Sequence, residues 1–187
     1  MAHPPESRLP VRRTGDLRLG RVSIPGATYF LTLCELKRRP NLSSPSLAPE
    51  LKAALDQTHA SGDFTLIAAT VMPDHVHLLG KLGRRLSLSR TVGKFKHMTR
   101  AALAHCSLAW QENFYDHRLR TTQEVEPFVR YVFLNPYRAG LIGLRGTWPW
   151  WWRWGEVRFE FEEMVRQHDG VPAEWMAEKP PDGTEDE

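Results

Sequence analysis

The spacing of hydrophobic and polar positions changes along the chain in a regular order. Tyr29-Phe30-Leu31-Thr32-Leu33-Cys34 follows Pro25-Gly26 and is aromatic and apolar, which predicts a strand broken by Arg38-Arg39-Pro40-Asn41. From about Pro49 to Ala60 the apolar residues take helical spacing, with Leu47, Leu51, Leu55 and Thr58 on one face. Ser46 is the expected cap of that helix and Ser61-Gly62-Asp63 its stop. Phe64 to Met72 and His75 to Leu82 read as two strands parted only by Pro73-Asp74, a hairpin. A second helix from about Ser87 to Cys106 gathers Leu88, Val92, Phe95, Thr99, Leu103 and Cys106 on one side and Arg90, Lys94, His97 and Arg100 on the other. Asn113 to Arg120 predicts a fourth strand. Thr121-Thr122-Gln123-Glu124 has capping-box spacing and opens a third helix, with Pro127 in its first turn. That helix is expected to end at Asn135-Pro136, because proline disfavours helical geometry in the residue before it.

The order β-α-β-β-α-β, then α, is the ferredoxin-like split βαβ arrangement. It is an α+β fold with an antiparallel sheet, helices on one face and an added C-terminal helix. Residues 1–20 read as a flexible basic arm, 21–155 as the folded domain and 156–187 as an acidic tail, disordered from Pro180 onward. Many functions use this fold, so function must be argued from particular side chains.

Composition narrows the classes. A chain of 187 residues, 41% hydrophobic and 25% charged, suits one soluble domain with a real core. No apolar run reaches the ~20 residues a spanning helix needs, so no membrane partner is expected. The first residues lack the pattern of a secretory signal. Cys34 and Cys106 cannot build a disulfide framework or a zinc ribbon, and a reducing cytoplasm is the expected location. The formal charge of +3 conceals an asymmetry. Residues 1–155 hold 22 Lys/Arg and 11 Asp/Glu, whereas the tail sets eleven acidic residues against Arg158, Arg166 and Lys179. So basic a body attracts phosphate backbones. Arg90, Lys94 and Arg100 are the helix face that would contact them, the alternative being plain solvation.

His75-Val76-His77 is the sharpest chemical feature. On a strand, residues i and i+2 project to one face, so both imidazoles point together while Val76 and Leu78 enter the core. Two histidines so placed can chelate one metal ion. A hydrolytic zinc site would need a third protein ligand and a carboxylate base, and Asp74 in the turn has no assigned face. On the third helix, Tyr131 and Asn135 are four apart and share a stripe with Phe128. Together they offer a phenolic nucleophile and an amide oxygen one turn away, which are the parts that phosphodiester chemistry with a bound cation requires. Tyr137 is the rival nucleophile, without such an i+4 partner. Trp148-Pro149-Trp150-Trp151-Trp152-Arg153-Trp154 either stacks on unpaired bases or plugs the open side of the sheet. Asp116-His117 is a candidate second-sphere pair or a strand-end ion pair.

At these residues the sequence resembles a known family. Val71-Met72-Pro73-Asp74-His75-Val76-His77-Leu78-Leu79 is similar to the His-hydrophobic-His motif of single-tyrosine HUH transposases. Tyr131-Val132-Phe133-Leu134-Asn135-Pro136-Tyr137-Arg138-Ala139-Gly140-Leu141 resembles the helix-end signature of their REP-associated branch. Three smaller matches keep the same order: Pro25 to Phe30, Phe95 to Thr99 and Phe114 to Arg120. Tyr137, Pro127 and the tryptophan run depart from the family pattern without removing a catalytic group.

The resemblance implies a metal-dependent single-stranded DNA endonuclease and transesterase. In it His75, His77 and Asn135 hold Mg²⁺ or Mn²⁺, and Tyr131 attacks a phosphate to leave a 5′-phosphotyrosine and a free 3′-hydroxyl. Rejoining by another 3′-hydroxyl needs no energy source, in keeping with the absence of a GxxxxGK[ST] loop. Arg138 joins Arg90, Lys94 and Arg100 as a DNA-binding residue. The implied partner is single-stranded DNA with a REP-like hairpin, bound by a monomer or homodimer. Two other classes stay open: a non-catalytic nucleic-acid-binding module on the same fold, and a metal hydrolase that uses water.

Overall fold

The computed structural model describes residues 22–120 and 123–184. The expected basic arm and Thr121-Thr122 lie outside them. Period-two sequence gives β1 (Thr28–Cys34), β2 (Phe64–Val71) and β3 (His75–Leu82), and helical spacing gives α1 (Ala48–Ala60) and α2 (Leu88–His105). The hairpin between β2 and β3 turns through Pro73-Asp74, closed by the Met72 N–H on the His75 carbonyl at 2.9 Å. After β4 (Tyr115–Arg118) come α3 (Glu126–Arg138), β5 (Trp151–Arg153), α4 (Glu160–Gln167) and a 3₁₀ turn at Ala173–Met176.

The strands form one antiparallel sheet in the order β4-β1-β3-β2-β5. Its two faces carry two cores. Leu31, Leu33, Val76 and Leu78 meet α1 and α2 through Leu51, Leu55, Val92 and Phe95. On the opposite face Phe30, Ala68 and Leu79 meet Phe128, Val132 and Leu134 of α3, together with Phe161 and Trp175. A register shift between Leu66 and Ala68 in β2 lets Leu66 and Ala69 serve the first core while Ala68 serves the second.

Several boundaries differ from expectation. Ser46 does not cap α1: Leu47 holds that position without a side-chain bond, and the Ser46 hydroxyl pairs with Ser44 instead. Ser87 does cap α2, accepting from the Arg90 N–H. The α3 helix starts at Glu126, later than the capping-box spacing suggested, and Gln123 accepts from the Arg120 N–H instead. Pro127 does lie in its first turn.

The same helix also runs through Pro136 and stops only at Gly140, which takes φ +66°. The lost bond and ring clash cost about 3 kcal/mol in a helix interior. Burial of Leu134, Pro136 and Tyr137 offsets that, at roughly 1.5–3 kcal/mol per large apolar side chain.

The tryptophan run is part of the sheet. Trp151–Arg153 pair with β2 at its edge, Trp150, Trp152 and Trp154 lie on the first core, and Trp151 stands edge-on to Phe133 on the second. The plug reading therefore describes it. The acidic segment after Glu156 carries α4 and the 3₁₀ turn, and Phe161, Val171 and Trp175 are buried against α3.

Candidate active site

Strand alternation places His75, His77 and Leu79 on the α3 side of β3, with Val76 and Leu78 in the opposite core. The antiparallel register sets Cys34 beside His75 and Thr32 beside His77. His77 is fully buried and His75 nearly so. Each ring is held from behind. The Asp74 carboxylate takes His75 Nδ1 at 2.7 Å, and Thr32 Oγ1 lies 3.0 Å from His77 Nδ1. What remains on both rings is Nε2, and the two Nε2 atoms converge to 3.0 Å.

Across from them, α3 presents Tyr131 and Asn135 one turn apart. Asn135 donates Nδ2 to the Tyr131 carbonyl at 2.9 Å, and its amide also hydrogen-bonds the His77 ring. This turns Oδ1 towards the imidazoles. Two imidazole nitrogens and an amide oxygen thus face one point, a donor set suited to a divalent cation. Among the described residues no group of three His, Cys, Asp or Glu side chains could hold a metal. The Tyr131 ring stands edge-on to His77 with centroids 5.9 Å apart and edge-on to Phe30 at 5.8 Å.

Electrostatics fit this use. Burial, and behind it the neighbouring His75, push the His77 pKa well below its ordinary value against the pull of Asn135. Its ring is therefore neutral at pH 7, as a ligand must be. Burial opposes the charge on Asp74. The hydrogen bond and attraction of His75, followed by Arg38, outweigh that and keep its pKa below the usual carboxylate value. Arg38 Nε sits 2.8 Å from Asp74 Oδ2.

The structure brings His75, His77, Tyr131, Asn135 and Arg138 to one face. Arg138 lies seven residues beyond Tyr131 with its guanidinium 5.6 Å from the centre of the phenol ring. Arg90 and Arg100 are exposed on α2, which covers the other face. Lys94 puts its ammonium 2.6 Å from the buried carboxylate of Asp63. Tyr137, the rival nucleophile, donates its hydroxyl to the Gly146 carbonyl at 2.8 Å, away from the histidines. The His117 ring stacks on Phe128 at 5.8 Å and pairs with Gln123.

Sequence reasoning missed the two residues that hold the imidazole rings, Asp74 and Thr32. The signal for Asp74 was its position directly before the histidine pair, and for Thr32 the strand register. It also missed the C-terminal segment, whose Thr184 carbonyl accepts the Tyr131 hydroxyl at 3.0 Å.

Comparisons with known proteins show the family of the chain. Residues 23–124 match the family described as "Transposase IS200 like". A REP-associated tyrosine transposase of Escherichia coli (strain K12) is 29% identical over 133 residues, which is 69% of this chain and 78% of that relative. In fold the chain is similar to a solved REP-associated tyrosine transposase bound to a REP hairpin, with TM-score 0.60 and 23% identity, over 75% of this chain and 93% of that one.

Proposed function

Since the chain belongs to the IS200-like transposase family, we propose that it cuts and rejoins single-stranded DNA beside a hairpin through a tyrosine-linked intermediate. The observation that carries this reading is the convergence of the His75 and His77 Nε2 atoms, 3.0 Å apart, beneath the ring of a buried tyrosine. His75, His77 and Asn135 would hold a divalent cation, Mg²⁺ or Mn²⁺. When bound, that ion supplies the polarisation of a non-bridging phosphoryl oxygen.

The chain's own residues do the rest. Thr32 and Asp74 fix the two rings, so the ligand positions are preorganised. The Tyr131 oxygen attacks phosphorus: an O–P bond to the phenol forms, the bond to the 3′-oxygen breaks, and the phenolic proton leaves the tyrosine while the 3′-oxygen gains one. A second 3′-hydroxyl reverses the step and frees Tyr131. Phe30 stands edge-on to the phenol, backed by Phe128, and holds its direction of approach. Arg138 beside the ring would neutralise a phosphate of the bound strand, and the exposed Arg90 and Arg100 on the other face would meet phosphates of the hairpin, whereas Lys94 is engaged by Asp63. The hairpin as partner is supported by the similar structure that carries one.

A covalent-adduct assay tests the reading. The protein is mixed with labelled hairpin oligonucleotides from inverted repeats of its genome plus Mn²⁺ or Mg²⁺, then run on a denaturing gel. The expected result is a metal-dependent labelled protein band, lost in Tyr131→Phe and in His77→Ala. Cleavage that persists in Tyr131→Phe without an adduct would overturn it in favour of attack by water.

A further inference from the structure

Beside Tyr131 lies a cavity of about 130 Å³ lined by Arg130, Tyr131, Arg138, Glu178 and Lys179 among others. It is large enough for a phosphate group, since a water molecule takes about 30 Å³. Arg138 enters it with an unusual deficit. Its Nη2 donates to the carbonyls of Trp175 and Glu178 at 3.0 and 3.2 Å, yet Nε and Nη1 are buried with no acceptor among the described residues. Buried guanidinium N–H groups are seldom left unpaired.

The second arginine shows what the pocket accepts. Arg130 lies with its guanidinium 5.1 Å over the ring of Trp175 and forms an ion pair with the Glu178 carboxylate at 2.5 Å. The Glu178 carboxylate is thus an anion already paired with Arg130, and its main-chain carbonyl accepts from Arg138, so the residue bridges the two arginines that flank the nucleophile on α3. A planar guanidinium fork recognises carboxylate and phosphate by the same geometry.

We propose that Arg130 and Arg138 form a clamp for a DNA phosphate neighbouring the scissile one, and that the Glu178 carboxylate stands in for that phosphate when DNA is absent. The proposal rests on the reading of Tyr131 as nucleophile. The clamp sets where the strand lies along α3, so it positions the scissile phosphate without touching the reacting atoms. Glu178 and DNA then compete for one site.

The test combines substitutions with a methylphosphonate scan. The hairpin oligonucleotide that gives the adduct is synthesised with one neutral methylphosphonate at a time along its flank. Binding is followed by fluorescence anisotropy in EDTA, and adduct formation by single-turnover kinetics with Mn²⁺. In the wild-type protein one flank position is expected to weaken binding about tenfold when neutralised. Arg130→Gln and Arg138→Gln should each weaken binding by a similar factor while changing the saturating rate little, and neutralising that flank position should cost them nothing more. Glu178→Gln should bind more tightly.

Arg130 is only partly covered, so its variant separates a clamp from a folding defect, and melting curves check both. If the Arg→Gln variants retain the full methylphosphonate penalty, or lose saturating rate instead of affinity, the clamp is overturned while the nucleophile assignment stands. Absence of any wild-type adduct, or an adduct that survives Tyr131→Phe, would overturn the nucleophile assignment and the clamp with it.

Discussion

The phenolic hydroxyl of Tyr131 donates to the main-chain carbonyl of Thr184, 3.0 Å away across 53 residues of sequence. Around that contact the C-terminal segment is fitted to the site. Thr184 is fully buried, the Tyr115 hydroxyl donates to the Gly183 carbonyl at 3.0 Å, and a Cβ on Gly183 would fall 2.1 Å from the His117 ring. Gly183 also takes φ +86°, so glycine is needed there on both counts. A strand of DNA that brings phosphorus to the Tyr131 oxygen must displace this segment.

Removal of Asp182 to Glu187 should therefore speed adduct formation. One hydrogen bond is worth about 1 kcal/mol net, which sets a lower bound of roughly fivefold on the single-turnover rate. Removing the four acidic residues Asp182, Glu185, Asp186 and Glu187 lessens repulsion of DNA and adds to it at low salt. Comparing full-length and shortened protein on the same oligonucleotide checks this, and equal rates would show that the segment yields to DNA without cost.

The Asp74 carboxylate holds His75 Nδ1 at 2.7 Å and leaves Nε2 to the proposed ligand position. Substitution of such a partner typically lowers metal affinity 10–100-fold. Asp74→Asn should raise the Mn²⁺ concentration for half-maximal adduct formation by about tenfold or more, with most of the rate recovered at saturating metal. A metal titration of both proteins decides it: an unshifted midpoint with a lower plateau would place Asp74 outside the metal's second sphere.

What could be read from the sequence follows from where the determinants are local. Period-two alternation alone placed both histidines on one face and Val76 and Leu78 in the core, and the i, i+4 relation placed Tyr131 above Asn135. Both relations hold within a single element. Asp74 was not assignable because its orientation is set by the β2–β3 turn and by Arg38, whose position depends on the chain beyond β1. The β5 strand was hidden because only Trp151–Arg153 pair, and pairing with β2 is a long-range event no local pattern reports. The tail misled because its charge suggested solvation. Its few apolar residues, Phe161, Val171 and Trp175, are nevertheless spaced to meet α3. Pro136 misled in the other direction: a strong local breaker gave way to burial.

Tyr137 and Tyr131 sit on the same helix but are bound to different tasks. Tyr137 Oη donates to the Gly146 carbonyl at 2.8 Å, and burial raises its pKa, which opposes formation of its phenolate. Tyr137→Phe should keep adduct formation near wild type and lower stability by about 1 kcal/mol, the usual value of one such hydrogen bond. Tyr131→Phe should abolish the adduct. Denaturant melts and the adduct gel on the two variants separate the roles, and an adduct lost in Tyr137→Phe at unchanged stability would reverse them.

Glu35 should contribute acid sensitivity to the fold, beside the likewise lowered Asp63 and Asp74. Its side chain is fully covered at the end of β1, where it accepts from the Lys37 and Arg39 N–H groups at 2.7 and 2.9 Å and from the Arg39 guanidinium at 2.9 Å. Burial alone would raise its pKa, but the bonds from Arg39, Lys37 and Ala109 more than reverse this and hold it at about 2, against an ordinary 4.5. A depressed carboxyl pKa stabilises the fold fully above the unfolded value and ceases to do so as pH falls through the folded one. Glu35→Gln keeps the shape and removes the charge, so at pH 7 it should destabilise by roughly 1–3 kcal/mol. The gap between wild type and variant should narrow from about pH 4.5 downward as the unfolded wild-type chain takes up its proton. Urea melts of both proteins at stepped pH values test this directly. Curves that stay parallel below pH 4.5 would show that the Glu35 carboxylate is not held in its charged form by these bonds.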